Sequence, residues 1–218
     1  MFLIAEIGSN WDGDITLAKD TIDACKNAGA DAVKFQLWKT DIVYPNNPEN
    51  KKWQMSFDQA KFLYKYAKTM DMLCFFTPSY PEAVDFLENE LHVPMYKIAS
   101  VTSAMKHPYS LEVMHKVADT GKPVIISFGY GDNTDKIFEQ SKLIMLECVS
   151  KYPANYNDYK SIGYHGVSDH TIGTNLMFDN KHKIIEKHVK LRDNSSPDSP
   201  FSLYTDELAD FITLSKSL

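Results

Sequence analysis

Short apolar runs recur along the chain, and each ends in polar or ionisable residues. Eight such runs are LIAEIG, AVKFQ, LCFFTP, MYKIAS, PVIISF, IMLECVS, YHGVSDH and KIIEKHV. Strand side chains alternate between two faces, so residues two apart, such as Lys34 and Gln36, point the same way. Eight strands that carry chemistry at their C-terminal ends predict a (β/α)8 TIM barrel with its active site on that face.

The segments between the first strands have the apolar spacing of helices. DITLAKDTIDACKNAGA places Leu17, Ile22 and Cys25 on one stripe and ends at Gly29, and SFDQAKFLYKYAKTM begins at an N-cap-like Ser56. PEAVDFLENEL and PYSLEVMHKVADTGK follow the next two strands. Because strands and helices alternate strictly, we expect a parallel sheet.

The second half of the chain leaves less room for helices. The connections between its strands are NTDKIFEQS, KYPANYNDYKSIGYH and TIGTNLMFDNKH. A crossover normally needs about 10–12 residues or more. We therefore expect a compact barrel with shortened or missing helices in its second half, and, since no linker appears, a single domain over residues 1–218.

Composition narrows the classes of partner. The 218 residues are 44% hydrophobic and 24% charged, which allows a full core, and the net charge of −6 argues against a nucleic-acid partner. No apolar stretch reaches the roughly 18 residues of a membrane span. Three cysteines without CxxC spacing indicate reduced, buried thiols and a cytoplasmic protein.

Two histidines form the first candidate site. His170 and His188 are each expected to be the last inward residue of the seventh and eighth strands, so both imidazoles could reach one metal ion. Two histidines with open positions suit a Lewis-acid metal such as Mn, Co, Zn or Fe. The alternative is that each histidine only caps its strand through hydrogen bonds. Glu186, on the same face as His188, would orient it or balance charge.

Two lysines form the second candidate site. Lys34 and Lys97 lie inside apolar strands, where a charge is unfavourable unless it is paired. With hydroxyl groups from the neighbouring strands they could bind a phosphate or a carboxylate. Two alternatives stay open: ion pairs with Glu6 or Glu186 inside the barrel, and a Schiff-base lysine.

Several motifs, in order along the chain, resemble the barrel of the sialic acid synthase family. They are AEIGSNWDGD, GADAVKFQ, FTP with PEAVDFL, YKIAS, TGKPVIIS, CVSKYPA, SDHTIG, IEKH and SPDSPFSL. The resemblance implies an enzyme, a transferase that condenses phosphoenolpyruvate with an N-acetylhexosamine-type aldose to give a nonulosonic acid and phosphate. It also implies a divalent metal, with manganese preferred and Mg, Co, Zn or Fe as alternatives.

The resemblance assigns roles residue by residue. It makes His170 and His188 the metal ligands, and Glu6, Lys34, Lys97 and Asp198 the catalytic residues. Substrate would be bound by a larger polar set: Gln36, Thr77, Ser100, Ser127, Ser150, Tyr152 and Ser168. Glu6, Gln36 and Asp198 are the members of these sets that would face the sugar and the intermediate.

The resemblance covers the barrel only, without the C-terminal antifreeze-like domain that covers the partner's sugar site in family dimers. We therefore expect the chain alone to bind phosphoenolpyruvate ordinarily but its sugar weakly, unless the mouth is covered by a homodimer partner, by a separate lid-supplying protein or by the loop DIVYPNNPENKKWQ, with Tyr44 and Trp53. Two other functions remain open. One is a Schiff-base aldolase on the same fold, and the other is a non-catalytic protein that binds phosphoenolpyruvate or sugar.

Overall fold

The first eight strands of the chain are parallel and pair in chain order, and the first also pairs with the eighth. The sheet therefore closes, and the predicted (β/α)8 barrel is confirmed. This computed structural model describes residues 1–129, 135–138, 142–160, 163–179 and 182–215. The strands are β1 (Phe2–Glu6), β2 (Ala32–Leu37), β3 (Leu73–Pro78), β4 (Tyr96–Ile98), β5 (Val124–Phe128), β6 (Leu143–Cys148), β7 (Gly166–Asp169), β8 (Ile184–Lys190) and a short β9 (Leu203–Tyr204) beside β8.

The interior of the barrel changes from apolar to polar along the strands. A small apolar cluster fills its lower part: Ile4, Ala32, Phe75, Ile125 and Leu146. Two residues further along the same strands, on the same face, stand Glu6, Lys34, Thr77, Ser127 and Cys148. The alternation predicted from sequence thus places the polar groups together, above an apolar floor.

The helices pack outside the barrel on a larger apolar core. They are α1 (Ile15–Ala28), α2 (Thr40–Val43), α3 (Phe57–Thr69), α4 (Pro81–Phe86, continued by a π-turn at Leu87–Leu91), α5 (Ser100–Ser103), α6 (Ser110–Asp119) and α7 (Thr205–Ser215). Asp14 caps α1 by accepting from the backbone of Thr16, and Ser56 with Gln59 forms a capping box on α3. Gly29 is the C-cap of helix α1, and its φ of 94° is the left-handed conformation that glycine adopts readily.

The crossovers of the second half are shortened, as the sequence predicts. In the described residues, the β5–β6 connection has one 3₁₀ turn at Asp135–Phe138, and the β6–β7 connection has one at Tyr156–Asp158. The β7–β8 connection forms turns, with Leu176 and Met177 buried beneath them. Part of each predicted connection (residues 133–134 and 139–141, 161–162, 180–181) lies outside the described residues. None of the described helices has the length and apolarity that crossing a membrane requires.

Candidate active site

Two adjoining chambers open at the C-terminal ends of the strands. The inner chamber, about 60 Å³, is lined on one side by ionisable and hydroxyl groups, Glu6, Lys34, Lys97, Ser127, Cys148, Ser168, His170 and Glu186. The outer chamber, about 340 Å³, is lined by Ser9, Trp38, Val43, Tyr44, Asn50, Ser79, Val101, Pro197, Asp198 and Phe201. Both share Gln36, Thr77, Ala99, Ser100, Tyr152 and His188. A larger cavity of about 620 Å³ lies at the opposite end of the barrel, away from these groups.

Lys34 is fully enclosed in the inner chamber. Its Nζ donates to Thr77 Oγ1 at 2.8 Å, forms an ion pair with Glu6 and lies 3.7 Å from Glu186 Oε2. Burial lowers the pKa of Lys34 to about 7, against the opposing attraction of Glu186. The ion pair with Glu6, one of the alternatives for this lysine, is therefore present in the structure. The hydroxyl of Thr77 lies beside the same ammonium group.

Lys97, from β4, shares the carboxylate of Glu186 with Lys34. Its Nζ donates to Ser127 Oγ at 2.7 Å and to Glu186 Oε1 at 3.0 Å. Glu186 also accepts from Ser168 Oγ at 2.8 Å. Burial opposes ionisation of Glu186, but Lys34 and Lys97 hold its pKa well below the usual value. Of the two roles expected for Glu186, it performs charge balance.

His170 presents one ring nitrogen to the chamber. Its Nδ1 lies 2.8 Å from the carbonyl oxygen of Val149, which can only accept, so Nδ1 carries the proton and Nε2, 3.5 Å from Ser168 Oγ, has the lone pair. Burial and the neighbouring His188 lower the pKa of His170 to about 3. The ring is therefore neutral at physiological pH, the state in which imidazole binds a metal.

His188 lies beside His170 and next to a carboxylate from a distant segment. Its Nδ1 lies 3.5 Å from Asp198 Oδ2, and Asp198 also accepts from the backbone N–H of Ser9 at 2.8 Å. Burial opposes ionisation of Asp198, but His188 and Ser9 lower its pKa to about 2. Gly8 permits this approach, because a Cβ there would stand 2.5 Å from Asp198 Oδ2. Asp198, not Glu186, is the group that can orient His188.

The two imidazoles fit a shared metal ion. Their ring centroids are 5.5 Å apart, and rings that share an ion through nitrogen bonds of about 2.0–2.1 Å have centroids at most roughly 6 Å apart. Nδ1 of His188 has Asp198 Oδ2 as its neighbour at 3.5 Å, so Nε2 is the nitrogen left to bind an ion. Within that part of the chain, no three His, Cys, Asp or Glu side chains are grouped as a complete metal site. An ion here would therefore take further ligands from water or substrate.

The other predicted substrate-binding residues lie around the junction of the two chambers. Gln36 lines both chambers, as does Ser100, whose hydroxyl is 3.2 Å from that of Ser150. Ser150 itself is in neither lining set and reaches the site through this contact. Tyr152 is half-exposed and packs on His170 with ring centroids 4.4 Å apart.

The segment after β2 forms part of the outer wall. Tyr44, Val43 and Asn50 line the outer chamber, as expected of a covering loop. The expectation for Trp53 is wrong: this side chain is buried, and its indole N–H donates to Asp12 at 2.9 Å. The neighbouring Trp38 provides the tryptophan of this wall.

Sequence reasoning missed a buried ion pair behind the histidines. Lys187 of β8 and Asp169 of β7 are both fully buried, with Nζ 3.0 Å from Oδ2. Each is the sequence neighbour of a histidine, and because strand side chains alternate they point out of the barrel as the histidines point in. The feature of the sequence that could have predicted this pair is a lysine inside an apolar strand, next to His188.

Comparisons with known proteins identify the family and several relatives of this chain. A model of the NeuB family matches residues 21–218. The pseudaminic acid synthase of Helicobacter pylori is 29% identical, over 92% of this chain and 69% of its own length. The N-acetylneuraminate-9-phosphate synthase of Mus musculus is 31% identical, over 97% of this chain and 68% of its own length.

A solved structure gives the same result for the fold. The crystal structure of the N-acetylneuraminic acid synthetase of Leptospira borgpetersenii serovar Hardjo-bovis, in complex with citrate, superposes with a TM-score of 0.89 at 28% identity. The superposition covers 99% of this chain and 82% of that one.

Proposed function

The chain belongs to the NeuB family, and on that premise we propose that it is a transferase that condenses phosphoenolpyruvate with an open-chain N-acetylated aldose. The products would be a nonulosonic, sialic-acid-like acid and phosphate, and the reaction would require a divalent metal ion, manganese in the first instance. Relatives named as synthases of pseudaminic acid and N-acetylneuraminate 9-phosphate support this class of reaction.

One observation carries the proposal: the imidazole rings of two histidines meet at the rim of a chamber that holds two lysines and several hydroxyl groups. The ring centroids of His170 and His188 are 5.5 Å apart, and Lys34 and Lys97 lie below them in the inner chamber. A metal site beside an anion site is what the reaction needs, because one reactant is an aldehyde and the other carries a phosphate and a carboxylate.

The side chains of the chamber would hold the two reactants in reacting positions. Lys34 and Lys97, with Thr77 and Ser127, would donate to the phosphate and carboxylate oxygens of phosphoenolpyruvate and stabilise charge that develops there. A metal ion held by His170 and His188 would supply Lewis-acid activation of the aldehyde oxygen.

The bond changes follow from these positions. The electron pair of the phosphoenolpyruvate double bond joins its methylene carbon to the aldehyde carbon, the carbonyl π bond breaks, and the aldehyde oxygen takes a proton to become a hydroxyl group. Water then adds to the central carbon and gives up a proton, which balances the one taken by the aldehyde oxygen. The bond from the central carbon to the bridging oxygen of the phosphate breaks, phosphate leaves, and the oxygen from water remains as the keto group. Glu6 or Asp198 would accept the proton of the water, since both carboxylates border the chambers.

The test is release of inorganic phosphate from phosphoenolpyruvate against a panel of aldoses, with manganese and with a chelator. We expect release only when an N-acetylated aldose and metal are both present, and a condensed keto acid by mass spectrometry. Phosphate release without an aldose, or turnover that survives chelation, would contradict the proposal.

A Schiff-base aldolase is the second candidate, and one observation favours it. The pKa of Lys34 is lowered to about 7 by burial, so part of the population carries the neutral amine that such chemistry uses. Borohydride reduction in the presence of a keto acid would trap Lys34 covalently in that case. We expect no trapped adduct, because Lys34 is ion-paired with Glu6.

The proposed enzyme also has an expected location in the cell and expected partners. We propose a cytoplasmic enzyme, since Cys25, Cys74 and Cys148 are all free and buried. The segment with Tyr44 covers part of the outer chamber. A homodimer partner or a separate protein would cover the rest.

A further inference from the structure

The backbone of His170 lies just beyond the regular pairing of its strand. β7 ends at Asp169, which pairs with β8, and its pairing with β6 ends at Ser168. His188, by contrast, lies within β8 and pairs with Glu6 of β1. Among the described residues, the ladders of the barrel wall thus include His188 but end one residue before His170. Because His170 is buried, its backbone groups need hydrogen-bond partners from elsewhere.

A single segment of the chain provides these partners. This β6–β7 segment, residues 149–159, contains a 3₁₀ turn where a barrel of this type normally has a helix. The carbonyl oxygen of Val149 accepts from ring Nδ1 of His170 at 2.8 Å, and the backbone N–H of Ala154 donates to the carbonyl oxygen of His170 at 2.9 Å. The Tyr159 hydroxyl accepts from the backbone N–H of His170 at 3.0 Å. The segment therefore binds every hydrogen-bonding group of His170 except Nε2.

The hydroxyl of Tyr159 bridges two backbone groups of β7 and the residue after it. It donates to the carbonyl oxygen of Ser168 at 3.0 Å while it accepts from the N–H of His170. In a parallel ladder, one residue of the neighbouring strand makes the same two bonds, to the C=O of one residue and the N–H two positions further on. The phenol therefore extends the ladder past the end of β7. Burial raises the pKa of Tyr159, so the hydroxyl keeps the proton that it donates.

Contacts on both sides of Tyr159 in the sequence hold it in position. Asp158 closes the preceding 3₁₀ turn by accepting from the backbone N–H of Asn155 at 3.3 Å. Lys160 donates its backbone N–H to Oε1 of Glu147, on β6, at 2.6 Å. A hydroxyl whose flanking residues are anchored in this way can fix a neighbouring backbone group before any ligand binds.

We propose that Tyr159 is a positioning residue for the metal site, whose hydroxyl holds the backbone of His170 so that Nε2 stays directed into the inner chamber. This inference rests on the proposed function, which places a metal ion on His170 and His188. Tyr159 lines neither chamber, and it acts through His170 without touching ion or substrate. Loss of a partner that orients a metal-binding histidine typically weakens metal affinity about 10–100-fold.

A matched pair of variants tests this role. Tyr159→Phe removes the bridging oxygen and keeps the ring, and Tyr156→Phe makes the same change on an exposed tyrosine of the same segment. We expect Tyr159→Phe to raise the Kd for Mn²⁺, measured by calorimetry, at least about tenfold and Tyr156→Phe to leave it within about twofold. Equal Kd values for wild type and Tyr159→Phe would overturn the inference.

Two further measurements separate positioning from a loss of stability. In the metal-free protein, hydrogen exchange at the His170 amide should be about tenfold faster in Tyr159→Phe, because the acceptor of this N–H is gone. At saturating Co²⁺, the visible absorption spectrum of the bound ion reports the geometry of its ligands. It should change in Tyr159→Phe and stay the same in Tyr156→Phe. An unchanged exchange rate, or a lowered Tm with an unchanged cobalt spectrum, would overturn the inference.

Phosphate release from phosphoenolpyruvate separates this inference from the proposed reaction. A wild-type protein that binds Mn²⁺ more tightly than Tyr159→Phe but releases no phosphate with any aldose would refute the condensation and support the role of Tyr159. Metal-dependent condensation by the wild type, with equal Mn²⁺ affinity in Tyr159→Phe, would overturn the role of Tyr159 and leave the proposed function standing. A wild-type protein that binds no Mn²⁺ would refute the metal assignment and this inference with it.

Discussion

The buried pair between Lys187 and Asp169 allows a quantitative test of what holds the histidine-bearing strands together. Both side chains are fully buried, and Lys187 Nζ also donates to the carbonyl oxygen of Thr171 at 2.5 Å. Replacing Lys187 with methionine keeps the length of the side chain and removes its charge. Asp169 would then be a buried carboxylate without a cation, although the N–H and hydroxyl of Thr171 still donate to its Oδ1 at 2.7 Å each.

The expected loss of stability follows from that remaining environment. Removing one partner of a buried ion pair typically costs about 3–5 kcal/mol. Because two hydrogen bonds to Asp169 survive, we expect Lys187→Met to lie near the lower end, at about 3 kcal/mol. For a chain of this size each kcal/mol lowers Tm by about 2–4 °C, so Tm should fall by about 6–12 °C. Adding Asp169→Asn should recover at least half of the loss, since the unpaired charge is removed.

Urea unfolding followed by circular dichroism measures the effect, and a surface pair provides the control. Lys116 and Asp85 form a shorter pair, 2.6 Å, but both side chains are at least a third exposed. Lys116→Met should therefore cost less than about 1 kcal/mol. A loss below 1 kcal/mol for Lys187→Met, or a double variant no more stable than the single one, would refute this account of the pair.

Four further predictions concern the chambers. His170→Ala and His188→Ala should each abolish stoichiometric manganese binding and metal-dependent turnover while the circular dichroism spectrum is retained; retained binding in either would refute the metal assignment. Lys34→Ala and Lys97→Ala should each raise the Kd for phosphoenolpyruvate at least about tenfold, the loss of about 1.5–3 kcal/mol expected for a charge-assisted hydrogen bond. Because the pKa of Lys34 is lowered to about 7, wild-type affinity should fall from pH 7 to pH 9 as this lysine loses its proton, and Lys34→Arg should show no such fall. Tyr44→Ala should raise the sugar KM about tenfold, with Tyr44→Phe as the control, and leave the Kd for phosphoenolpyruvate unchanged; an equal change in both constants would contradict the separation of the chambers.

The sequence predicted the fold and the inner chamber for one physical reason. In a strand, side chains two apart share a face, so a polar residue placed two positions after a buried apolar one stands directly above it. Ile4 and Glu6 illustrate this, as do Ala32 and Lys34. Strand periodicity and the closed order of the strands together were enough to bring Lys34, Lys97 and Glu186 into one chamber.

Strand periodicity does not predict the contacts that loop residues make. Asp198 lies beyond the last barrel strand, in a turn, and no periodicity places it against His188; only its place in a family motif pointed to the site. For Trp53 the prediction failed in the opposite direction. As a tryptophan in a long loop near the mouth it was expected to cover the site, but its side chain is turned inward and donates to Asp12. The direction of a loop side chain depends on partners distant in sequence, which alternation does not specify.

Charge balance in the inner chamber supports the proposal that a metal ion and the lysines would act in one mechanism. Lys34 and Lys97 are opposed by Glu6 and Glu186, so the four side chains carry no net charge when all are ionised. A phosphate and a carboxylate entering this enclosed space would leave it strongly negative, which is unfavourable in a medium of low dielectric constant. Additional positive charge at the rim, where the neutral ring of His170 offers a free nitrogen, would offset that cost. The glutamates hold the lysines in place before the substrate arrives, and cation binding at the histidines would make anion binding to the same lysines favourable.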